Sequence, residues 1–385
     1  MSEVVYDMIP KLFDFTELAF TSNGIGRMTD IISCKVTETR NGDCLLEAEY
    51  PKNGIRAGEI CELRYIGAPY DDTGRVQPFV IYKVKNDIKT IKIYAKHVGM
   101  INCGLYINGQ MSSQLTVKQR FAQFKNSIIG YSYVENGVRK YNYPEHASVV
   151  SYYTDITDPI QTSIKTPVRL RDYIQGVDGS IADTIGYGEV RYDRWKLEFL
   201  AERGQPSGVV FRYGVNIGDI TSETSSAETY TGAVMYSTYD NNLVYKPYFW
   251  MGNDQTPVRI LPNYKLVDLT AKMQQGTVFD TKADAQNNSE VKKKPWNIAS
   301  NITLTGYELS KMAEYVGRLP HRHLGLCDTV KVIYQPLGIS EDIKVVKLVW
   351  DVVKEQYTSM SFGTIKKTLN STLRKLMQEY ASLVR

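Results

Sequence analysis

The chain has 385 residues, 43% of them hydrophobic, which is enough for roughly two to four domains with sizeable cores. Its 46 basic and 42 acidic residues leave a net charge of +4, too close to balance for a protein that holds nucleic acid electrostatically. The cysteines form no Cys-x-x-Cys pair, which is typical of buried residues in a protein made in a reducing cytosol. Neither a signal peptide nor a membrane-spanning run is evident. We expect neither a membrane nor a sequence-specific nucleic-acid partner.

Short strands dominate the first hundred residues. Residues 31–50 consist of strand, Asn41-Gly42 turn and strand, the strongest short-range hairpin signal. Further strands are expected at 61–65, 77–84 and 91–95. This pattern, punctuated by Gly, Pro and Asn, predicts a first barrel-like antiparallel β-domain at 1–100.

The next segment, 101–184, mixes helices and strands. Thr116 and Gln119 form a capping box, and apolar residues then follow at helical spacing, which predicts a helix over 117–129. Thr166-Pro167 predicts the start of a second short helix that ends at Gly176. We therefore expect an α/β insert domain here.

The stretch 188–220 carries alternating apolar residues on both sides of a turn. Trp195, Leu197 and Phe199 precede Gln205-Pro206-Ser207-Gly208, and Val209, Phe211 and Tyr213 follow it. Alternation of this kind predicts an antiparallel pair with one dry face. We interpret the stretch as a long β-hairpin that opens a second barrel-like β-domain.

The remainder of the chain returns to strands after polar stretches. The polar run 221–230 is interpreted as a surface loop, and strands are expected at 327–334, 343–353 and 357–362. The predicted fold class is mainly β with α+β inserts: two barrel-like antiparallel β-domains plus inserted domains and a C-terminal helix. The second β-domain is assigned to 185–245 and 318–366, the other insert to 246–317 and the helix to 367–385.

The C-terminal helix has leucines and a tyrosine at alternating spacings of four and three, from Leu369 to Leu383. This is a heptad seam little more than two repeats long. Two interpretations stay open: a helix that lies on its own domain, and a short oligomer stem.

A weak internal repeat links the two ends of the chain. The segment from Gly58 to Arg64 resembles that from Gly325 to Lys331, with Cys61-Glu62 beside Cys327-Asp328. Each is followed by a loop with Gly, a strand with an aromatic residue, a turn with Lys and another strand. Coincidence between two unrelated barrels and true duplication both explain this match; duplication would give two related β-modules.

The sequence contains no nucleophile elbow, P-loop, dinucleotide fingerprint or His-Glu-x-x-His motif. His321-x-His323 lacks a third ligand nearby and is interpreted as exposed. His97 ends a strand, His146 lies in a polar loop, and the pairs Asp71-Asp72 and Glu341-Asp342 fall in predicted turns. We predict no catalytic residue, no cofactor and no metal site.

Nine short motifs occur in a particular order along the chain. They are Tyr50-Pro51 with Gly54, Gln77-Pro78-Phe79-x-Ile81-Tyr82, Ala95-x-His97, Arg169-Leu170-Arg171-Asp172, Gly179-Ser180-Ile181, Arg203-Gly204, Arg212-Tyr213-Gly214-x-Asn216, Leu309-Ser310 with Glu314-Tyr315, and Gly325-x-x-Asp328-x-Val330. Over residues 5–365 this order resembles the tail-tip hub proteins of long-tailed phages of Gram-positive bacteria, the family that includes tail-associated lysin N-terminal regions and prophage endopeptidase tail proteins.

The resemblance implies a fold similar to the baseplate hub of contractile phages and a homotrimeric ring with six similar modules. Such a ring would match the hexameric distal tail protein and the tail tube, close the tube, and open for the tape-measure protein and DNA; receptor-binding or tip proteins are further implied partners. It implies a location at the virion tail tip after synthesis in the host cytoplasm. The family's endopeptidase activity has no support in these residues, so we expect a structural protein that is not an enzyme.

Two other functions stay open at this point. One is a tail lysin that degrades peptidoglycan, which would need two converging acids that one sequence cannot reveal. The other is a saccharide-binding module for host recognition that uses some of the 28 tyrosines.

Overall fold

The computed structural model describes residues 8–363 except 109–114, 161–163, 165, 178, 226–231, 239–242, 250–263, 269, 271–298, 307–323 and 336–338. The predicted C-terminal helix, the His321-x-His323 pair and the motif at Leu309-Ser310 with Glu314-Tyr315 lie outside the described residues.

The first hundred residues form strands that pair in antiparallel fashion. These are β1 (Lys11–Phe13), β2 (Gly26–Arg27), β3 (Ser33–Thr39), β4 (Cys44–Pro51), β5 (Tyr65–Pro69), β6 (Val76–Asn86) and β7 (Thr90–His97), with a 3₁₀ turn at Ala57–Glu59. The predicted hairpin is confirmed: β3 and β4 pair from Ser33 opposite Glu49 to Glu38 opposite Cys44. Asn41 takes a φ of 55°, the left-handed conformation that a tight hairpin turn requires.

Residues 98–185 contain short helices and small sheets. The helices are α1 (Val98–Cys103), α2 (Val117–Ser127), α3 (Pro144–Val149), α4 (Leu170–Ile174) and α5 (Ile181–Ile185). The strands are β8 (Tyr106–Ile107), β9 (Leu115–Thr116), β10 (Ser132–Glu135), β11 (Val138–Tyr141), β12 (Ser151–Thr154), β13 (Pro159–Ile160) and β14 (Val168–Arg169).

Two helix predictions have different outcomes. The capping box of α2 is confirmed, because the Thr116 hydroxyl accepts from the Gln119 N–H and the Gln119 side chain accepts from the Thr116 N–H. The helix expected from Thr166-Pro167 begins later, at Leu170, because Val168 and Arg169 pair with β8. Gly176 follows its end with a φ of 105°, so it lies where the sequence places a stop.

The hairpin predicted across 188–220 is wrong in its pairing. The chain instead turns at Arg194, which has a φ of 51°, and joins β15 (Glu189–Asp193) to β16 (Lys196–Leu200). β16 also pairs in parallel with β12, whereas β17 (Pro206–Arg212) lies in another sheet and pairs in parallel with β23 (Thr329–Tyr334). Alternation identifies the dry face of each strand but not its partner.

The second half adds the strands β18 (Ile217–Ser225), β19 (Gly232–Ser237), β20 (Val244–Phe249), β21 (Tyr264–Asp268), β22 (Ala299–Gly306), β24 (Ile339–Asp351) and β25 (Gln356–Gly363). Two turn predictions are corrected here. Thr221 to Ser225 belong to β18 because they pair with β22. Glu341 and Asp342 belong to β24, where they face Val332 and Lys331 of β23.

One thirteen-stranded sheet joins the two ends of the chain, in the order β18-β22-β25-β24-β3-β4-β7-β6-β5-β1-β2, with β23 beside β24 and β17 beside β23. The link is the antiparallel pair β24 and β3, which runs from Lys347 opposite Thr39 to Asp351 opposite Lys35. The mainly β class with α+β inserts is confirmed. Among the described residues the two barrel-like halves are parts of one open sheet, and no closed barrel is present.

The division into domains stays a prediction, although strands pair across the predicted boundaries in two places. β22 lies in the segment assigned to the second insert, but it pairs with β18 and β25 in the main sheet. β15 and β16 lie in the segment assigned to the second β-domain, but they form a sheet with β12.

The internal repeat is present in the structure, with an alignment that differs by two residues from the one read from sequence. Leu63 and Cys327, which are 264 positions apart, have φ values of 71° and 73°. The Leu63 N–H donates to the Ile81 carbonyl, and the Ile81 N–H donates to Arg64. The Cys327 N–H donates to Val345, whose N–H donates to Asp328 in the same manner.

The repeat extends through three strands on each side. Ile66 faces Phe79 in the pair β5 and β6, and Val330 faces Ile343 in the pair β23 and β24. The next pair of strands contains a β-bulge at the same place, between Ile81 and Lys83 and between Val345 and Lys347. We call β3 to β7 the first unit and β18 with β22 to β25 the second unit.

Each unit has a buried apolar face, and the two faces are made of equivalent residues. Four pairs of residues that are 264 positions apart are no more than 2% exposed: Ile66 and Val330, Ala68 and Val332, Phe79 and Ile343, Ile81 and Val345. Similar backbone paths therefore bury similar residue types, which is the behaviour expected of a duplicated module rather than of two unrelated barrels.

Candidate functional site

A buried ion pair lies where the first unit, the second unit and the segment between them meet. Arg203 Nη1 lies 2.8 Å from Glu38 Oε1, and both side chains are no more than 7% exposed. Arg203 Nη1 also donates to the Val190 carbonyl at 3.2 Å. Burial lowers the pKa of Arg203, but Glu38 outweighs it and holds that pKa above its ordinary value. The guanidinium is therefore a fixed structural cation.

Glu189 extends this cluster towards the surface. Its Oε1 lies 2.8 Å from Arg40 and 3.3 Å from Lys344, and its Oε2 accepts from the Arg203 N–H at 2.7 Å. Lys344 also lies 2.8 Å from Glu202. Burial raises the pKa of Glu189, but the Arg203 N–H and the two cations together lower it below its ordinary value. We call these residues the ionic junction: Glu38, Arg40, Glu189, Glu202, Arg203 and Lys344.

Two of the sequence motifs meet beside the ionic junction. A Cβ on Gly204 would lie 1.9 Å from the Cys327 carbonyl oxygen, so only glycine permits this approach of the two backbones. The carboxylate of the nearly buried Asp328 accepts from the Gln205 N–H at 2.9 Å and from the Gly325 N–H at 2.7 Å. The motifs Arg203-Gly204 and Gly325-x-x-Asp328 therefore dock the segment after β16 onto the second unit.

The motif Arg212-Tyr213-Gly214-x-Asn216 forms a self-contained turn. The Asn216 side chain accepts from the Arg212 N–H at 2.8 Å and donates to the Val210 carbonyl at 3.0 Å. Gly214 has a φ of 75°. The side-chain bonds reproduce those of a backbone turn, so this motif fixes the connection from β17 to β18.

His97 is buried at the end of β7, and both of its ring nitrogens form hydrogen bonds. Its Nδ1 accepts from the Gly99 N–H at 3.0 Å, so Nε2 carries the proton and donates to Gln77 at 3.1 Å. Gln77 Oε1 also accepts from the Arg194 N–H at 2.7 Å. Burial, aided by the charge of Arg203, lowers the pKa of His97 to about 3. This histidine joins β6, β7 and the turn at Arg194 as a neutral group.

The other histidine in the described residues and four of the five cysteines are also buried or partly buried, whereas Cys61, which was expected to be buried, is exposed. His146 bonds the Tyr131 hydroxyl at 3.0 Å and packs edge-on against Trp195, and burial lowers its pKa. Burial raises the pKa of Cys103 and of Cys327 to about 12 and also raises that of Cys34 and Cys44. Thiols of this kind are protonated at neutral pH and are poor nucleophiles.

A surface pocket of about 430 Å³ adjoins the ionic junction, and its walls include Arg40, Tyr187, Glu189, Glu202 and Lys344. The carboxylates and cations among these residues are already paired with one another across the junction. In the part of the chain that the structure describes, no group of three or more His, Cys, Asp or Glu residues could hold a metal ion. None of the helices described there is long and apolar enough to span a membrane.

Among the strand edges of the sheet that lack a neighbour within the described residues are those of the long strands β6 and β18. After the bulge, Lys83 to Asn86 pair with β7 on one side only, since β5 ends opposite Val76 to Val80. The strand β18 is the terminal strand of the sheet and pairs with β22 only. The corresponding edges of β24 in the second unit and of β3 in the first unit pair with each other.

Sequence reasoning missed the ionic junction, because its residues are scattered from Glu38 to Lys344 and only Arg203 belongs to a motif. One signal was available. Glu38 lies at the same strand parity as the buried Cys34 and Val36, where an apolar residue is expected. A charged residue in an apolar series indicates a buried partner.

No protein-family model and no curated protein sequence matches this chain. Among solved structures, a prophage tail protein, gp18, from Listeria monocytogenes is 15% identical, with a TM-score of 0.51 over 96% of this chain and 98% of the other. A tail protein from Neisseria meningitidis is 9% identical, with a TM-score of 0.55 over 93% and 96%. A 43 kDa tail protein of prophage MuSo2 from Shewanella oneidensis is 10% identical, with a TM-score of 0.50 over 86% and 93%.

These likenesses cover nearly the whole chain at low identity, so they concern the fold. At the level of the fold they confirm the likeness to tail proteins that the ordered motifs indicated. The chain has the fold of phage tail proteins.

Proposed function

We propose that this protein is a structural hub of the tail tip of a phage or of a phage-tail-like particle. Three copies form a ring that closes the distal end of the tail tube and docks to the hexameric distal tail protein. The ring opens for the tape-measure protein and DNA. The observation that carries this proposal is the duplicated strand unit within a tail-protein fold.

The duplication matters because it reconciles two symmetries. A ring of three chains, each with two similar units, presents six similar surfaces to a hexamer. The chemistry of the ionic junction supports a structural role, since its carboxylates neutralise neighbouring cations and Arg203 is buried. The junction would then hold the two units of one chain at a fixed spacing.

The mass of the full-length protein in solution tests the ring. Light scattering on the protein alone should give three times the 43.7 kDa of one chain, and the complex with the distal tail protein of the same particle should contain three copies of the chain. A monomer in both samples would overturn the proposal. Electron microscopy of particles labelled with an antibody against the chain should place the label at the tail tip.

Two activities define the competing functions and are measured on the same sample. Release of soluble fragments from purified peptidoglycan would establish a tail lysin, and binding of cell-wall saccharide by the isolated chain would establish a recognition module. We expect neither. Either result, combined with a monomeric mass, would replace the hub proposal.

A further inference from the structure

The two units of the chain differ in what lies next to their longest strand. In the second unit, β24 continues past its bulge and pairs with β3 from Lys347 to Asp351. In the first unit, β6 continues past the same bulge, but no described strand pairs with the outer edge of Lys83 to Asn86. The same strand edge is therefore paired in the second unit, on β24, and open among the described residues in the first unit, on β6.

The strand that is equivalent to β3 can be identified from pairing registers. Leu46 of β4 faces Ala95 of β7, and Ile302 of β22 faces Phe362 of β25. Ala95 and Phe362 occupy the same place beside the bulge, opposite Ile81 and Val345. β22 is therefore the second unit's copy of β4.

One further step along the sheet completes the correspondence. Val36 of β3 faces Leu46, and Ser222 of β18 faces Ile302. β18 is accordingly the second unit's copy of β3, with Ser222 in the place of Val36. Among the described residues its outer edge is open as well, since β18 pairs with β22 only.

We propose that these two open edges pair between neighbouring copies of this chain, β6 of one copy against β18 of the next, in antiparallel orientation. This pairing between chains has the same arrangement as the pairing of β24 with β3 within one chain. This inference rests on the proposed ring and supplies the surface that closes it. Because the two edges are different surfaces of one chain, the contact is head-to-tail and generates a ring when its rotation closes.

The intrachain register fixes the interchain register. Lys347 faces Thr39 and Val349 faces Thr37 within the chain. When each of these residues is replaced by its counterpart in the other unit, Lys83 lies opposite Ser225 and Lys85 opposite Glu223 of the neighbouring copy. Open strand edges are templates for pairing with another chain, and the exposed Lys83 and Lys85 on β6 are the type of residue that prevents unregulated pairing.

Cysteine cross-linking of the full-length protein tests the register. Residues directly opposite on antiparallel strands share a face, with Cβ atoms about 4.5–5.5 Å apart. In a Cys61→Ser background, which removes the exposed native thiol, the double variant K85C/E223C should form interchain disulfides on mild oxidation. The products should be covalent dimers and trimers on a non-reducing gel.

The matched control is K85C/T224C, in which the second cysteine is one residue along the strand and on the opposite face. We expect at least about fivefold less cross-linked product from this control than from K85C/E223C. A second test pair, K83C/S225C, lies one step along the same register and should cross-link as well. The single-cysteine variants should give no trimer.

The outcomes separate this inference from the proposed function. A trimer by light scattering under reducing conditions, together with cross-links at 85 with 223 and 83 with 225, supports both. A trimer in which neither pair cross-links more than the control overturns the edge pairing and leaves the ring in place. A monomer in every variant and in the unmodified protein overturns both.

Discussion

The two units of the chain have the same backbone plan, yet they carry different residues where the plan meets its neighbour. Trp350, near the end of β24 and opposite Val36 of β3, is fully buried, whereas Asn86, which is 264 positions earlier at the end of β6, is exposed. Cys327 is 1% exposed under Gly204, whereas its equivalent Leu63 is 68% exposed. The strand edge that is paired within the chain thus buries an aromatic ring. The open edge of β6 carries the polar Lys83, Lys85 and Asn86, as solvent-exposed strand edges commonly do.

The largest effect is expected from the removal of Trp350, the buried aromatic residue on the edge of β24 that pairs with β3. Trp350→Ala should lower the free energy of unfolding by about 4 kcal/mol, because it deletes a fully buried aromatic ring that packs 4.8 Å from Tyr357. Urea unfolding followed by circular dichroism measures this loss. The matched substitution Asn86→Ala should change it by less than about 0.5 kcal/mol. Similar losses for both variants would contradict the difference between the units.

The next effect concerns the ion pair that ties β3 to the segment between β16 and β17. Arg203→Ala should cost about 3 kcal/mol, because it leaves the carboxylate of Glu38 buried without its cation. Arg75→Ala breaks the pair with Asp193, in which the arginine is 58% exposed, and should cost less than about 1 kcal/mol. Equal costs in the same unfolding assay would argue against a buried junction.

A smaller effect is expected where two backbones touch. Gly204→Ala should destabilise the protein by about 2 kcal/mol, since the new methyl group would overlap the Cys327 carbonyl, which belongs to the backbone and cannot rotate away. Gly58→Ala is the control, because a Cβ there meets nothing within 4 Å. Thermal unfolding of the two variants beside the unmodified protein should show a lower midpoint for Gly204→Ala only.

The smallest effect is a pH dependence that comes from His97 in the first unit. Its pKa is lowered to about 3 by burial and by Arg203, while in the unfolded chain it lies near 6.5. Below pH 6.5 the unfolded chain therefore binds a proton that the folded chain does not, so stability falls as the pH falls towards 3. Between pH 7.5 and 5.5 this loss amounts to about 1.4 kcal/mol.

The variant His97→Gln isolates that contribution. Its unfolding free energy should fall by about 1.4 kcal/mol less over the same pH range than that of the unmodified protein. The lowered pKa of Glu189 adds a loss only below its ordinary value of 4.5, outside this range. His146→Gln, which keeps His97, should retain most of the slope; a slope unchanged in His97→Gln would contradict a neutral, buried His97.

Much of the local structure could be predicted from sequence, because its signals are local. The Asn41-Gly42 turn and the Thr116 capping box depend on residues two or three positions apart, and both are confirmed. The ordered motifs were enough to indicate a tail-protein fold, but not the role of each residue. Asp328 and Gly204, for example, act together across more than a hundred positions of chain.

The alternating apolar residues of each strand determined which side chains are buried, since side chains alternate across a strand whatever its neighbours are. Only the tertiary structure decided which strands pair, and the predicted hairpin at 188–220 failed for this reason. Partner choice depends on register and on side chains far apart in sequence, such as Glu38 with Arg203 and Leu46 with Ala95. The repeat was visible in the sequence as a faint similarity. Its alignment, and the open edges that it reveals, came from hydrogen bonds and bulges that no local pattern encodes.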